Sequence, residues 1–244
     1  MKKYYWIPDV PDMRDHMMSV AAPTTLPTKV DLRHLCSPIE NQGQLGSCTG
    51  NAIVGAMEIL ENKNNEKFID LSRLFVYYNE RFIEGTVKND SGACIRDGIK
   101  ALATYGVCTE SLWPYKIDMF DDAPTKECFE DGLTRKIINY KRIVDLQGMK
   151  ECLAAGYPFI FGMSIYESFE SPEVAVTGVV NIPVIGEKSL GGHAILAVGY
   201  DDSTKRFLIR NSWGSGWGQK GYFTIPYEYL NNRNLSDDFW MITK

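Results

Sequence analysis

Asn41-Gln42-Gly43-Gln44-Leu45-Gly46-Ser47-Cys48 is a glycine-rich loop that runs straight into an amphipathic segment, and its reading decides the fold. Cys48 falls at the mouth of the helix that starts there. The first-turn N–H groups of a helix are unpaired and its dipole places partial positive charge at that end, so the backbone alone favours a thiolate. Ser47 is of the type that caps a helix; Ile53, Met57 and Leu60 then recur at helical spacing with Ala52, Ala56 and Ile59 beside them, predicting a helix to about Asn64. A cysteine so placed is either a small buried side chain or a nucleophile. The rest of the chain separates the two.

The 244 residues make one large domain or two small ones, with 44% apolar and 23% charged residues, the composition of a soluble globular protein. Net charge is −5 and no Lys/Arg cluster stands out, which argues against nucleic acid or an anionic membrane as partner. No segment is apolar for long enough to span a bilayer. Lys2-Lys3 could open a signal peptide, but Pro8, Asp9, Pro11, Asp12 and Arg14 interrupt the apolar core that would have to follow. A cytoplasmic location is therefore the default expectation, with a secreted or lysosome-like compartment left open. The six cysteines form no Cys-x-x-Cys pair and no Cys/His spacing fits zinc, so neither metal nor cofactor is expected. If Cys48 is a free nucleophile, the five others cannot all pair.

Residues 1–26 form a proline-punctuated N-terminal extension. It reads as an extended arm laid over the domain surface and anchored by Trp6, with a removable inhibitory segment as the alternative. Residues 27–139 read as a mainly helical lobe carrying the nucleophile, with further helices over Leu71–Arg81, behind Ser72 as cap, and Arg96–Tyr105, closed by Gly106. Residues 140–244 read as a β-rich lobe with strands at Phe159–Ser164, Val179–Pro183, His193–Tyr200, Phe207–Asn211 and Gly221–Ile225, and one helix at Met149–Ala155. The expected class is α+β, two lobes with a cleft between them.

A cysteine nucleophile needs a base, and histidine is the usual one near neutral pH. Of the three histidines, His16 lies in the extension and His34 in a turn. His193 follows Gly191-Gly192 and opens a β-prone run. Asp201-Asp202-Ser203-Thr204-Lys205 is a turn cluster, and Phe207–Asn211 a second strand. Paired as an antiparallel hairpin, these bring His193 and Asn211 side by side. An amide oxygen there fixes the imidazole's orientation and tautomer, the task of the third member of a triad. Trp213 is placed to shield that bond from water.

The set Asn41-Gln42-Gly43 with Gly46-Ser47-Cys48, then Gly192-His193-Ala194, then Asn211-Ser212-Trp213-Gly214 and Gly216-Trp217-Gly218, resembles the papain-like cysteine peptidases. The likeness runs from Pro27-Thr28-Lys29-Val30-Asp31 to about Ile225, and its style is that of the leaderless microbial and viral branch. The resemblance implies a papain-like two-lobed fold, a helical lobe and an antiparallel β-barrel-like lobe with the site between them. It makes Cys48 the nucleophile, His193 the base and then acid, and Asn211 its orienter. Gln42, with the Cys48 backbone N–H, would serve the oxyanion. It also implies a thiolate–imidazolium pair formed before substrate arrives, and a peptide or protein substrate. Gly92 and Ala93 match the family's substrate-pairing strand loosely. Gly162 and Gly192 fall on the main specificity pocket, where two glycines either leave room for a bulky apolar or aromatic side chain or only relieve crowding. Trp213 also faces the cleft.

Leu45 stands where the family usually has a disulfide cysteine, and Thr49 where it has a tryptophan, which is expected to alter the cleft wall. The residues alone leave three readings of function: an endopeptidase, a transpeptidase or amidase using the same Cys–His pair, and an inactive papain-like binding protein. The presence of Gln42, Cys48, His193 and Asn211 together argues against the last; the first two need the same residues and the sequence does not separate them, the endopeptidase being the leading reading.

Overall fold

The computed structural model describes residues 4–18, 25–65 and 68–244. The first half holds strands β1 (Trp6–Ile7), β2 (Lys29–Asp31) and β3 (Ala93–Cys94) and helices α1 (Cys48–Asn65), α2 (Arg73–Glu84), α3 (Ile95–Tyr105) and α4 (Lys126–Gly132). The second holds β4 (Asn139–Arg142), α5 (Leu146–Ala154), β5 (Phe159–Tyr166), α6 (Pro172–Thr177), β6 (Ser189–Asp201), β7 (Arg206–Arg210), β8 (Tyr222–Pro226), α7 (Tyr227–Asn231) and β9 (Ser236–Thr243). The architecture is α+β: α1, α2 and α3 pack on one another, and α1 also packs on β6 of an antiparallel sheet ordered β4-β9-β5-β6-β7-β8. Among the described residues no helix is long and apolar enough to cross a membrane.

The expected helices start and stop for the reasons their sequences give. Ser72 Oγ accepts from Phe75 N (3.1 Å) at the head of α2, and Gly85 closes that helix in the left-handed region. Gly106, at φ +69°, follows α3. α5 begins earlier than the apolar spacing suggests, because Asp145 caps it by accepting from Gly148 N (2.8 Å).

Three features differ from the sequence reading. Val179–Pro183 forms no strand beyond a single bridge from Val179 to Thr224. Val179 and Ile182 are partly exposed and Val184 and Ile185 largely so, and Pro183 has no N–H to give a ladder. Conversely, β9 lies between β4 and β5, although Asp237 and Asp238 near its start hide the strand pattern. Finally, Lys29–Asp31, grouped with the helical lobe on sequence, pairs antiparallel with Gly199–Asp201 of β6.

Polar ties join the loop before α1 to the sheet. Arg210, the last residue of β7, donates to Ser37 O (2.6 Å), Ser37 Oγ (2.7 Å) and Pro38 O (2.7 Å). Ser37 donates in turn to buried Glu58 of α1 (2.5 Å), which also accepts from Leu71 N (3.0 Å). These contacts fix the approach of residues 37–47 to the residues just after β7, where Asn211 stands.

Candidate active site

Cys48 opens α1 and is fully buried. Across from it, β6 carries His193 between β5 and the loop after β7, with Met163 as its register partner. Cys48 lies beside the Ala194 N–H, next in chain to His193. The His193 Nε2–H donates to Asn211 Oδ1 (2.9 Å), which also accepts from Ser212 N (2.9 Å). The Trp213 ring stacks on the imidazole at 5.2 Å between centroids and 29° between planes. The hairpin logic thus places His193 and Asn211 together, and Trp213 covers them. A bulge between Ala197 and Gly199 shifts the β6–β7 register on the way.

Gln42 joins the same group through backbone and side chain. Its N–H donates to Ser212 O (2.9 Å), and Ser212 Oγ donates to Gln42 Oε1 (2.6 Å). With Oε1 committed to an O–H, the amide NH₂ is the end left to donate. One bond goes to Leu45 O (3.0 Å), and a second N–H remains for another acceptor. Tyr115 OH donates to Gln42 O (3.0 Å) and lies 2.5 Å from Ser47 Oγ, so it braces the loop from the helical side. The sequence reading gave Ser212 and Tyr115 no role. Ser212 was visible as a hydroxyl between Asn211 and Trp213, whereas nothing in the sequence brings Tyr115 to the loop.

Both departures noted in the loop face inward. Leu45 sits in a second apolar cluster with Leu74, Phe75, Tyr77 and Trp113. Thr49 is fully buried and its hydroxyl donates to the buried carboxyl of Glu80 on α2, so the structure points it into the helical lobe rather than at the cleft wall. All six cysteines are free thiols.

The N-terminal arm lies in the cleft, rather than across an outer surface. Trp6 and Ile7 pair in parallel with Ala93 and Cys94, and Tyr5 bridges to Gly192. The Tyr4 ring meets His193 edge-on at 6.3 Å and Trp213 at 6.1 Å, and its hydroxyl donates to Glu170. At Gly92 a Cβ would fall 1.9 Å from Tyr5 O, so the backbone of the arm fits only against glycine. The Trp6 indole fills the space between Gly162 and Gly192: a Cβ on Gly162 would fall 1.9 Å from the ring, and one on Gly192 2.7 Å from it. Gly92, Ala93, Gly162, Gly192 and Trp213, separated widely in sequence, therefore line one track, and the arm occupies it.

Burial sets the electrostatics. It pushes the Cys48 thiol up to about 11, outweighing the Ala194 and first-turn N–H groups that favour the thiolate.

A buried cysteine at a helix mouth, beside a histidine oriented by an asparagine under a tryptophan, in a cleft between helices and an antiparallel sheet, defines the class of thiol hydrolases. The sequence profile described as papain family cysteine protease matches residues 26–241, and the chain belongs to that family. It is 44% identical, over 212 residues, to an uncharacterized peptidase C1-like protein of Acanthamoeba polyphaga mimivirus, covering 83% of this chain and 68% of that one. Its fold matches xylellain, a cysteine protease from Xylella fastidiosa, with a TM-score of 0.91 and 41% identity over 99% of this chain and 96% of that one. A digestive procathepsin L of Tenebrio molitor larval midgut shares the fold at a TM-score of 0.76 and 19% identity, over 95% of this chain and 75% of that one.

Proposed function

We propose that this cysteine peptidase is an endopeptidase that works through Cys48, His193, Asn211 and Gln42, and that its main pocket takes a bulky aromatic or apolar side chain. The observation that carries the reading is the His193–Asn211 bond of 2.9 Å, buried beneath Trp213 and set beside the helix-mouth cysteine.

With the arm withdrawn, water reaches the cleft and the desolvation that holds the thiol protonated is relieved. The imidazole takes the Cys48 proton and the thiolate attacks the substrate's peptide carbonyl carbon. Charge that develops on the carbonyl oxygen is met by the Gln42 side-chain N–H and the Cys48 backbone N–H. As the C–N bond breaks, the His193 imidazolium gives its proton to the leaving amine, and the acyl group stays on sulfur as a thioester. A water, deprotonated by His193, attacks the thioester; the acid leaves and the thiol is restored. Asn211 holds one imidazole edge throughout, so the ring keeps the tautomer and angle that both transfers need.

The pocket preference rests on Trp6, whose side chain sits between Gly162 and Gly192. A pocket that holds an indole has the volume for Phe, Tyr or Leu. Peptide-library cleavage by wild type and Cys48→Ala side by side tests the proposal. Internal cuts directed by a bulky apolar residue, absent from Cys48→Ala, are expected. Cleavage retained by that variant would overturn the mechanism, and cuts confined to chain ends would overturn the endopeptidase reading.

A further inference from the structure

We propose that Asn51 is a further positioning residue of this site, joined to Asn211 by one buried water that fixes and polarises the amide against which His193 works. The inference rests on the Cys48–His193–Asn211 reading above and deepens it.

Asn51 stands on the first turn of α1, just past Cys48, and is 7% exposed. An asparagine is a poor choice inside a helix, because its amide competes with the backbone, and burying it costs free energy unless both ends are bonded. Within the protein only one end is. Nδ2 donates to Ser47 O (2.9 Å) and Ser47 Oγ (3.1 Å). Oδ1 is buried with no donor among the described residues. Asn211 is the complement. Its Oδ1 accepts from both the His193 Nε2–H and the Ser212 N–H, while its Nδ2 is buried with no acceptor among the described residues. Neither amide can turn round to mend this. Ser47 O accepts only from the nitrogen end of Asn51, and Ser212 N donates only to the oxygen end of Asn211.

Both residues line one small cavity between α1, β6 and the residues after β7. It offers about 10 Å³ to the centre of a water molecule, close to the least that holds a single water. The ionic groups on its wall are already engaged. Arg210 bonds Ser37 and Pro38, Glu58 bonds Ser37 and Leu71 N, and Glu40 pairs with Arg73 at 2.9 Å. Arg73 also lines the cavity, and its Nε is a further buried donor without an acceptor. It offers nothing to Asn211 Nδ2, since both are donors. One water donates to Asn51 Oδ1 and accepts from Asn211 Nδ2, with a lone pair left over for Arg73. The site is thus polar, sized for one molecule, and supplied with the two to four partners that a buried water needs.

The bridge bears on the reaction in two ways. An acceptor on the Asn211 N–H shifts amide electron density toward Oδ1, which makes that oxygen a better acceptor for His193. When Cys48 gives up its proton, the bond from the imidazolium to Oδ1 is charge-assisted and gains more from this than the neutral imidazole does. The water therefore favours the charged pair over the neutral one. It also ties the support of His193 to the helix that carries Cys48, so the amide cannot rotate without losing a bond at each end.

The test is a double-mutant cycle in the full chain, read as kcat and KM on a short peptide. Asn51→Leu keeps the size of the side chain and removes its polar atoms; kcat is expected to fall roughly five- to twentyfold with KM little changed. In the Asn211→Ala background the same change should cost less than about twofold, because the bond it acts through is gone. Equal losses in both backgrounds, or no loss from Asn51→Leu alone, would overturn the proposal. Asn51→Ala leaves room for a second water and should lose less than Asn51→Leu. An equal or larger loss would assign Asn51 to bracing Ser47 and overturn the bridge. The alanine variant also replaces leucine in the cycle if the leucine chain does not fold. Two readouts do not depend on turnover. A high-resolution crystal structure is expected to show one ordered water bonded to both Asn51 Oδ1 and Asn211 Nδ2. No water there, or a water on one of them alone, would contradict the bridge. The His193 Nε2–H proton resonance should move upfield in Asn51→Leu; an unmoved resonance would show that the amide is not polarised through Asn51. If no peptide is cleaved by any form, the peptidase reading fails, while the water and the proton resonance still decide the bridge.

Discussion

The Trp6 indole lies against the α-carbon of Gly162, close enough that a methyl group there would fall 1.9 Å from the ring. The arm and the pocket are thus shaped to each other at one atom. Gly162→Val is expected to expel Trp6, and to shift the preferred substrate side chain from aromatic to small. Cleavage profiling of the variant checks both. An unchanged aromatic preference would show that Gly162 does not bound the pocket.

The Trp6 Nε1–H is buried without an acceptor among the described residues. An unsatisfied buried donor costs about 1–3 kcal/mol. Trp6→Phe removes it and keeps an aromatic ring in the pocket, so this variant should stay closed, whereas Trp6→Ala should open. Amide protection of residues 4–7 distinguishes the two.

Much of this was legible from the sequence, and the boundary of what was legible has physical causes. Cys48, His193 and Asn211 could be found because each sits in a local pattern: a cap before a helix, a glycine pair before a strand, a strand after a turn. Their meeting follows from one hairpin. Ser212 could be seen but not assigned, since its role depends on which amide end of Gln42 it meets. Tyr115 was hidden because its partners are far away in the chain. The arm's position was misjudged: a short extended segment has no periodicity that tells a cleft from a surface. The strand expected at Val179–Pro183 failed since apolar composition without a pairing edge leaves side chains exposed.

Asn211→Ala removes the acceptor for the buried His193 Nε2–H. Leaving one such group unpaired costs about 1–3 kcal/mol, so kcat should fall roughly 5- to 150-fold while the fold persists. Steady-state kinetics alongside thermal unfolding separate the two effects.

Ser212→Ala frees Gln42 Oε1, now held at 2.6 Å, and lets the amide rotate. The expected loss is about tenfold in kcat with KM little changed, because the oxyanion exists only during reaction. A change confined to KM would assign Ser212 to substrate binding instead.

Burial raises the Cys48 thiol to about 11 while the arm is docked, so at neutral pH it is almost wholly protonated and slow to alkylate. Withdrawing the arm restores solvent and lowers that value. The rate of iodoacetamide labelling at Cys48 against pH should therefore show its rise at lower pH in Trp6→Ala than in wild type. Coincident profiles would mean that the arm does not govern the thiol.

The account stands most directly on Cys48 as the nucleophile. Intact-mass measurement after treatment with a thiol-directed epoxide, with mapping of the modified residue, tests it. One adduct per chain at Cys48, formed faster in Trp6→Ala and matched by equal loss of peptide cleavage, is the predicted result. Full cleavage by a chain stoichiometrically modified at Cys48, or by Cys48→Ala, would contradict it.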